Sequence, residues 1–167
     1  MEELIKSKMG LKADYISYSN FEQIIGELVQ SQIILSMDQF IQHSHVTCLE
    51  HSMHVSYSSY RVCKYLGLDY KSAARGGLLH DFFLYDWHMK NHRKGLHGFT
   101  HPQVALKNAT EFFNLNDTEK DIIEKHMWPL TIRLPKSKES LVVSIVDKYC
   151  SFIEIANFLS RTKLWSQ

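Results

Sequence analysis

With 167 residues, 44% of them hydrophobic and 22% charged, the chain can bury one continuous core without disulfide staples and is too short for several domains. A net charge of +1 excludes a large nucleic-acid footprint, and no apolar run approaches the roughly 18 residues of a membrane span. Cys48, Cys63 and Cys150 are odd in number and far apart, which suits reduced thiols. The charged start, Met1-Glu2-Glu3, lacks the apolar centre of a secretory signal, so the expectation is an intracellular, cytoplasmic protein. Histidine is the anomaly: there are ten, several of them inside apolar segments.

Residues 1–20 read as a short helix and a connector. From 21 to 41, Phe21, Ile24, Ile25, Leu28, Ile33 and Leu35 recur at mostly helical spacing and predict one helix. Gln42-His43-Ser44-His45 reads as a linker. Thr47 with Glu50 three residues on has the form of a capping box, opening a helix that runs to about Leu66 and stops at Gly67. On it His51, Val55, Ser58 and Val62 form one inward stripe, and His54 is a packing residue to one side. Asp69 or Ser72 opens the next helix, predicted to end at or just beyond Asp81. Residues 82–100 have no clear period and read as a long loop rich in aromatic and basic side chains; such loops are usually functional. His101-Pro102 restarts helical order, with Val104, Ala105, Ala109, Phe112 and Phe113 on an apolar face. Asn116 or Asp117 caps a shorter helix, from 118 to about Trp128, in which Ile122 and His126 share a face. A connector with two prolines follows, and 138–158 predicts the last long helix, with Val142, Val143, Val146, Asp147, Ile153 and Ile155 among its apolar-face positions.

The pattern predicts an all-α bundle of six or seven helices with no strand of any length. It divides into an N-terminal helical segment (1–43), a core (44–160) and a tail (161–167). His51, the pair His80-Asp81, His126 and Asp147 each arrive on a different helix facing inward, and His101 stands at a helix start. Helical bundles build metal sites from facing helices in this way. Nitrogen and oxygen donors without paired cysteines suit Mn, Fe, Co, Ni or Zn in an open site better than structural zinc.

The order H-x-x-x-V (His51 to Val55), Leu78-Leu79-His80-Asp81, His101-Pro102, His126 and Val146-Asp147-Lys148 resembles the HD-domain superfamily of metal-dependent phosphohydrolases. The resemblance covers about 44 to 158. It implies that His51, His80, Asp81 and Asp147 hold one divalent ion, and that His101 and His126 hold a second, bridged by Asp81. One ion supplies hydroxide at neutral pH, and a pair also stabilises the attacking and leaving oxygens at phosphorus. The implied activity is hydrolysis of a small phosphomonoester, nucleotide or phosphodiester, with Asp81 and Lys148 as catalytic residues. His88, Arg93, Lys94 and His97, in the 82–100 loop, are the expected contacts to the phosphorylated substrate. Two alternatives share the ligand set: a di-iron oxygenase of the myo-inositol oxygenase type, and a non-catalytic metal- or ligand-binding sensor. The Gly-Tyr-Pro signature of the cyclic-dinucleotide phosphodiesterases is absent, and Phe82-Phe83-Leu84 follows the His-Asp pair, with no lysine there.

Overall fold

Two helices, α3 (Cys48–Tyr65) and α4 (Tyr70–Leu79), lie against each other at the centre of the molecule, and small residues let them approach. A Cβ on Gly77 would meet the Ser56 backbone at 3.0 Å, and one on Gly76 would meet the Ile122 side chain at 2.8 Å. The run Ala73-Ala74-Arg75-Gly76-Gly77 therefore packs α4 against α3 on one side and α6 (Asp117–Lys125) on the other. Ser56 Oγ donates to the Ala74 carbonyl at 2.6 Å, so the close contact also carries a buried hydrogen bond.

In the computed structural model residues 15–89 and 95–164 are described. Among them the remaining helices are α1 (Tyr15–Val29), α2 (Gln32–Leu35), α5 (His97–Phe112) and α7 (Lys138–Leu164), so the all-α bundle of seven helices stands as expected. Phe21, Ile25 and Leu28 of α1 pack on Tyr57, Tyr60, Leu78 and Phe82 in the larger core. Val55, Cys63, Ala73, Ile122, Val143 and Val146 make the second, between α3, α4, α6 and α7. Each such Val, Leu, Ile or Phe contributes about 1.5–3 kcal/mol by leaving water, so these clusters fix where α7 lies on α3. No helix among the described residues is long and apolar enough to cross a membrane.

The caps explain the element starts. Thr47 accepts the Glu50 N–H at 3.2 Å, Asp69 (not Ser72) accepts those of Lys71 and Ser72, and Asn116 forms a full capping box with Glu119. Gly67 ends the α3 turn in the left-handed region, at φ +67°.

Several expectations are corrected. The single helix over 21–41 is divided: α1 stops at Val29, Ser31 is extended, and α2 leads into a 3-10 turn at Ser36–Gln39. The expected linker is a two-stranded antiparallel hairpin, β1 (Ile41–His43) with β2 (Val46–Thr47), turning at Ser44 with φ 55°. Helix α4 ends at Leu79, so Asp81 lies just past its end. Helix α5 begins at His97, which puts His101 one turn inside it and shortens the expected loop. Helix α6 ends at Lys125 and α7 continues to Leu164. Val62, expected on the inward stripe, is exposed.

Candidate metal centre

Six side chains from five helices and their ends converge in the interior. His51 is in the first turns of α3, His80 caps the C-terminus of α4, and Asp81 follows it in the turn. His101 comes from α5, His126 from the C-terminal cap of α6, and Asp147 from α7. All six are at most 7% exposed. The four histidines and two carboxylates would cost several kcal/mol to bury apart, so their arrangement must compensate.

Asp81 stands at the middle. Its Oδ2 lies 3.3 Å from His80 Nε2 and 3.9 Å from His51 Nε2, while its Oδ1 lies 3.2 Å from His101 Nε2 and 3.5 Å from His126 Nε2. Asp147 Oδ1 completes the first half, 3.0 Å from His51 Nε2 and 3.6 Å from His80 Nε2. One carboxylate thus turns one oxygen to each of two groups of donors. His51, His80 and Asp81 form one cluster able to hold a cation, and Asp81, His101 and His126 another.

The far side of each ring sets its proton. His80 Nδ1 lies 2.7 Å from the Gly77 carbonyl, His101 Nδ1 2.8 Å from that of His97, and His126 Nδ1 2.9 Å from that of Ile123. A carbonyl only accepts, so each Nδ1 carries a hydrogen, and in its neutral form each ring presents the Nε2 lone pair inward. His51 Nδ1 likewise faces the Glu154 carboxylate, at 3.0 and 3.1 Å. Among the described residues His80 Nε2 and Asp81 Oδ1 are fully buried with no hydrogen-bond partner. A set of lone pairs and carboxylates of this kind fits divalent cations.

The charges divide the set: burial opposes protonation of His80 and His51, but Asp81, Asp147 and Glu154 draw both rings toward the protonated form, and a divalent ion bound there would take the place of those protons. Burial favours the neutral form of His51, but its bonds to Asp147 and Glu154 outweigh burial and lift it to about 9. Burial, with His80 and His101 nearby, pushes His126 down to about 3. Burial would raise Asp81 and Asp147, yet the surrounding imidazoles hold both well below the usual carboxylate range. The pocket keeps its carboxylates ionised and draws positive charge.

A family model of the HD domain matches residues 48–151, which contain all six side chains. The chain belongs to the HD-domain family. That superfamily is one of metal-dependent phosphohydrolases, and its members bind divalent metals at His and Asp clusters of the kind buried here. No curated protein and no solved structure matches the chain.

Two residues beside the centre were not anticipated. Glu154 backs His51, with its carboxyl lowered to about 2: burial opposes the shift, and the bonds from His51 and His54 produce it. It follows Asp147 by seven residues, two helical turns, and that spacing was the available signal. Gln42, on β1, donates its Nε2 hydrogen to Asp81 Oδ2 and accepts from Cys48 Sγ at 3.3 Å. Its strand is three residues long, too short to show alternation.

The expected substrate contacts divide. His97 packs against the centre: its ring stacks on His101 at 4.5 Å and on Trp87 at 5.0 Å, and Tyr85 OH is 3.1 Å from its Nδ1. His88 is half exposed, its ring tilted against Trp87 at 3.9 Å, and bonded to Asp86. Arg93 and Lys94 lie outside the described residues. Lys148 is 3.8 Å from Asp147 Oδ2, but its closer partners are the His126 carbonyl at 2.7 Å, the Ser144 carbonyl at 3.0 Å and Ser144 Oγ at 3.1 Å. Its ammonium clasps the end of α6.

Proposed function

We propose that this HD-domain protein is a metal-dependent phosphohydrolase that cleaves a small phosphomonoester, nucleotide or phosphodiester. The observation that carries the reading is the double-faced Asp81, with imidazole lone pairs gathered at each of its two oxygens. In this reading His51, His80, Asp81 and Asp147 hold one ion and Asp81, His101 and His126 a second, from among Mn, Fe, Co, Ni and Zn. Bound there, divalent ions lower the pKa of water toward neutrality and offset charge developing on phosphoryl oxygens.

The chain's own residues prepare the site. The carbonyls of Gly77, His97 and Ile123 and the carboxylate of Glu154 hold the four rings in the orientation that binding requires. Gln42 holds Asp81 in place, and the burial of the set limits access of bulk water. His97 and His88, with Arg93 and Lys94, are assigned to the substrate side, where an arginine can fork onto a phosphate. The reading keeps 44–160 as the hydrolase core, with 1–43 supplying Gln42 and 161–167 as a tail.

The test is metal analysis of protein purified without chelators, then a phosphoester panel. Hydrolysis of a phosphoester, read as free phosphate from a monoester or as the released alcohol from a diester, that needs the bound metal and disappears in Asp81→Ala supports the reading. A metal-loaded protein that hydrolyses no monoester, diester or nucleotide of the panel overturns it, and iron-dependent uptake of dioxygen would assign the site to the oxygenase alternative.

A further inference from the structure

The metal centre uses one side of α7, and the opposite side is apolar. Ile145 (57% exposed), Tyr149 (64%), Phe152 (68%) and Leu159 (53%) project from it, flanked by Leu141, Ile153 and Ile155 at 38–41%. Ile145, Tyr149, Phe152, Ala156 and Leu159 follow one another at steps of four, three, four and three residues, the spacing of a helix-pairing seam.

We propose that this face pairs with the same face of a second copy of the chain, giving a two-fold dimer with the two α7 helices antiparallel about Phe152. The area matches. Taking each residue's exposed fraction of a full area of about 200–260 Å², the seven side chains offer on the order of 800 Å², above the ~300–600 Å² of a monomer's largest patch and near one side of a standard interface. The face is also self-complementary. Antiparallel pairing about Phe152 sets Ile145 opposite Leu159 and Tyr149 opposite Ile155, and no charged residue is among the seven. It opposes the two helix dipoles as well. Tyr149 and Phe152 are the aromatic anchors such interfaces favour. The first 14 residues of the chain are a poorer occupant: their large apolar side chains are Met1, Leu4, Ile5, Met9 and Leu11, too few to cover the seven. The inference stands on the outer surface of α7 and does not depend on the phosphohydrolase reading.

Sedimentation of the full chain over a roughly hundred-fold concentration range tests it, because a dimer obeys mass action. The wild type should reach twice the 19.5 kDa chain mass. Phe152→Glu and Phe152→Lys should each sediment as monomers with unchanged helical circular dichroism, since like charges meet on the two-fold axis. An equimolar mixture of the two should restore the dimer. Under mild oxidation Phe152→Cys should cross-link to itself, while Ile145→Cys should need Leu159→Cys on the partner; the native cysteines are buried and stay out of the reaction. A wild type that stays monomeric means that the face is covered from within the chain or by another protein, and overturns the proposal. So does a Phe152→Glu dimer as tight as the wild type, or a charge-swapped mixture that stays monomeric.

Discussion

The Nε2 atoms of His101 and His126 face each other at 2.8 Å, and a neutral ring with its hydrogen on Nδ1 has none there to offer the other. Both rings donate through Nδ1 to backbone carbonyls, so two lone pairs meet beside Asp81 Oδ1. His126 is pushed down to about 3 by burial and its neighbours, so its own Nε2 stays without a proton near neutral pH. A divalent cation resolves the contact. Elemental analysis should therefore find about two equivalents in the wild type, about one in His126→Ala and almost none in Asp81→Ala. If His126→Ala retains both equivalents as tightly as the wild type, His101 and His126 do not form a site of their own.

Glu154 should matter through His51. The carboxylate fixes the ring's tautomer and makes Nε2 a better donor, and loss of such a partner typically costs about 10- to 100-fold in metal affinity. Glu154→Ala should weaken the first ion by that factor in a chelator competition, and Glu154→Gln, which still accepts from Nδ1, by less. Equal affinity in all three proteins would reduce Glu154 to a packing residue.

What the sequence disclosed follows from the range of each signal. The caps at Thr47, Asp69 and Asn116 were legible because capping is local, and His51, His126 and Asp147 because helical spacing set their inward registers; His101 joined the set only through the order of motifs that carries the family resemblance. Gln42 was hidden because the contact joins residues 39 apart through a strand too short to alternate. The start of α5 was misplaced because Pro102, usual in a first turn, is accommodated within the helix instead. Helix α7 misled in another way. It is apolar on two sides, so periodicity could not separate buried Val143 and Val146 from outward Ile153 and Ile155.

Acid should loosen the molecule through Asp121. Its Oδ2 accepts the N–H groups of Lys136 and Ser137 at 2.8 and 3.0 Å, and Oδ1 pairs with Lys125 at 2.9 Å, tying the connector before α7 to α6. Burial would raise its pKa, but these bonds hold it below the usual carboxylate value. A depressed folded-state pKa gives stability that is present above the unfolded value, about 3.9, and lost as pH falls through the folded one. Asp121→Asn, which leaves buried Lys125 without its charge, should cost about 3 kcal/mol at neutral pH by urea unfolding. The gap from the wild type should narrow below about pH 4, where the wild type begins to lose the same charge. A gap that is constant from neutral pH to pH 2 would mean that the carboxylate's ionisation is not what stabilises the connector.

Lys148 invites a sharper test, because two roles predict different kinetics. If its ammonium met the substrate phosphate, Lys148→Met would raise KM for a phosphoester. The contacts to the His126 and Ser144 carbonyls point instead to a positioning residue, which holds the His126 end of α6 against α7. Burial already lowers the Lys148 pKa, partly offset by Asp147, so the group is strained toward neutrality and depends on these acceptors. On that account Lys148→Met should weaken binding of the second ion several-fold and lower kcat at subsaturating metal, with KM nearly unchanged. Excess metal should restore kcat, and Lys148→Arg, which keeps the charge but not the compact ammonium, should recover only part of the affinity. A raised KM that excess metal does not correct would return Lys148 to the substrate.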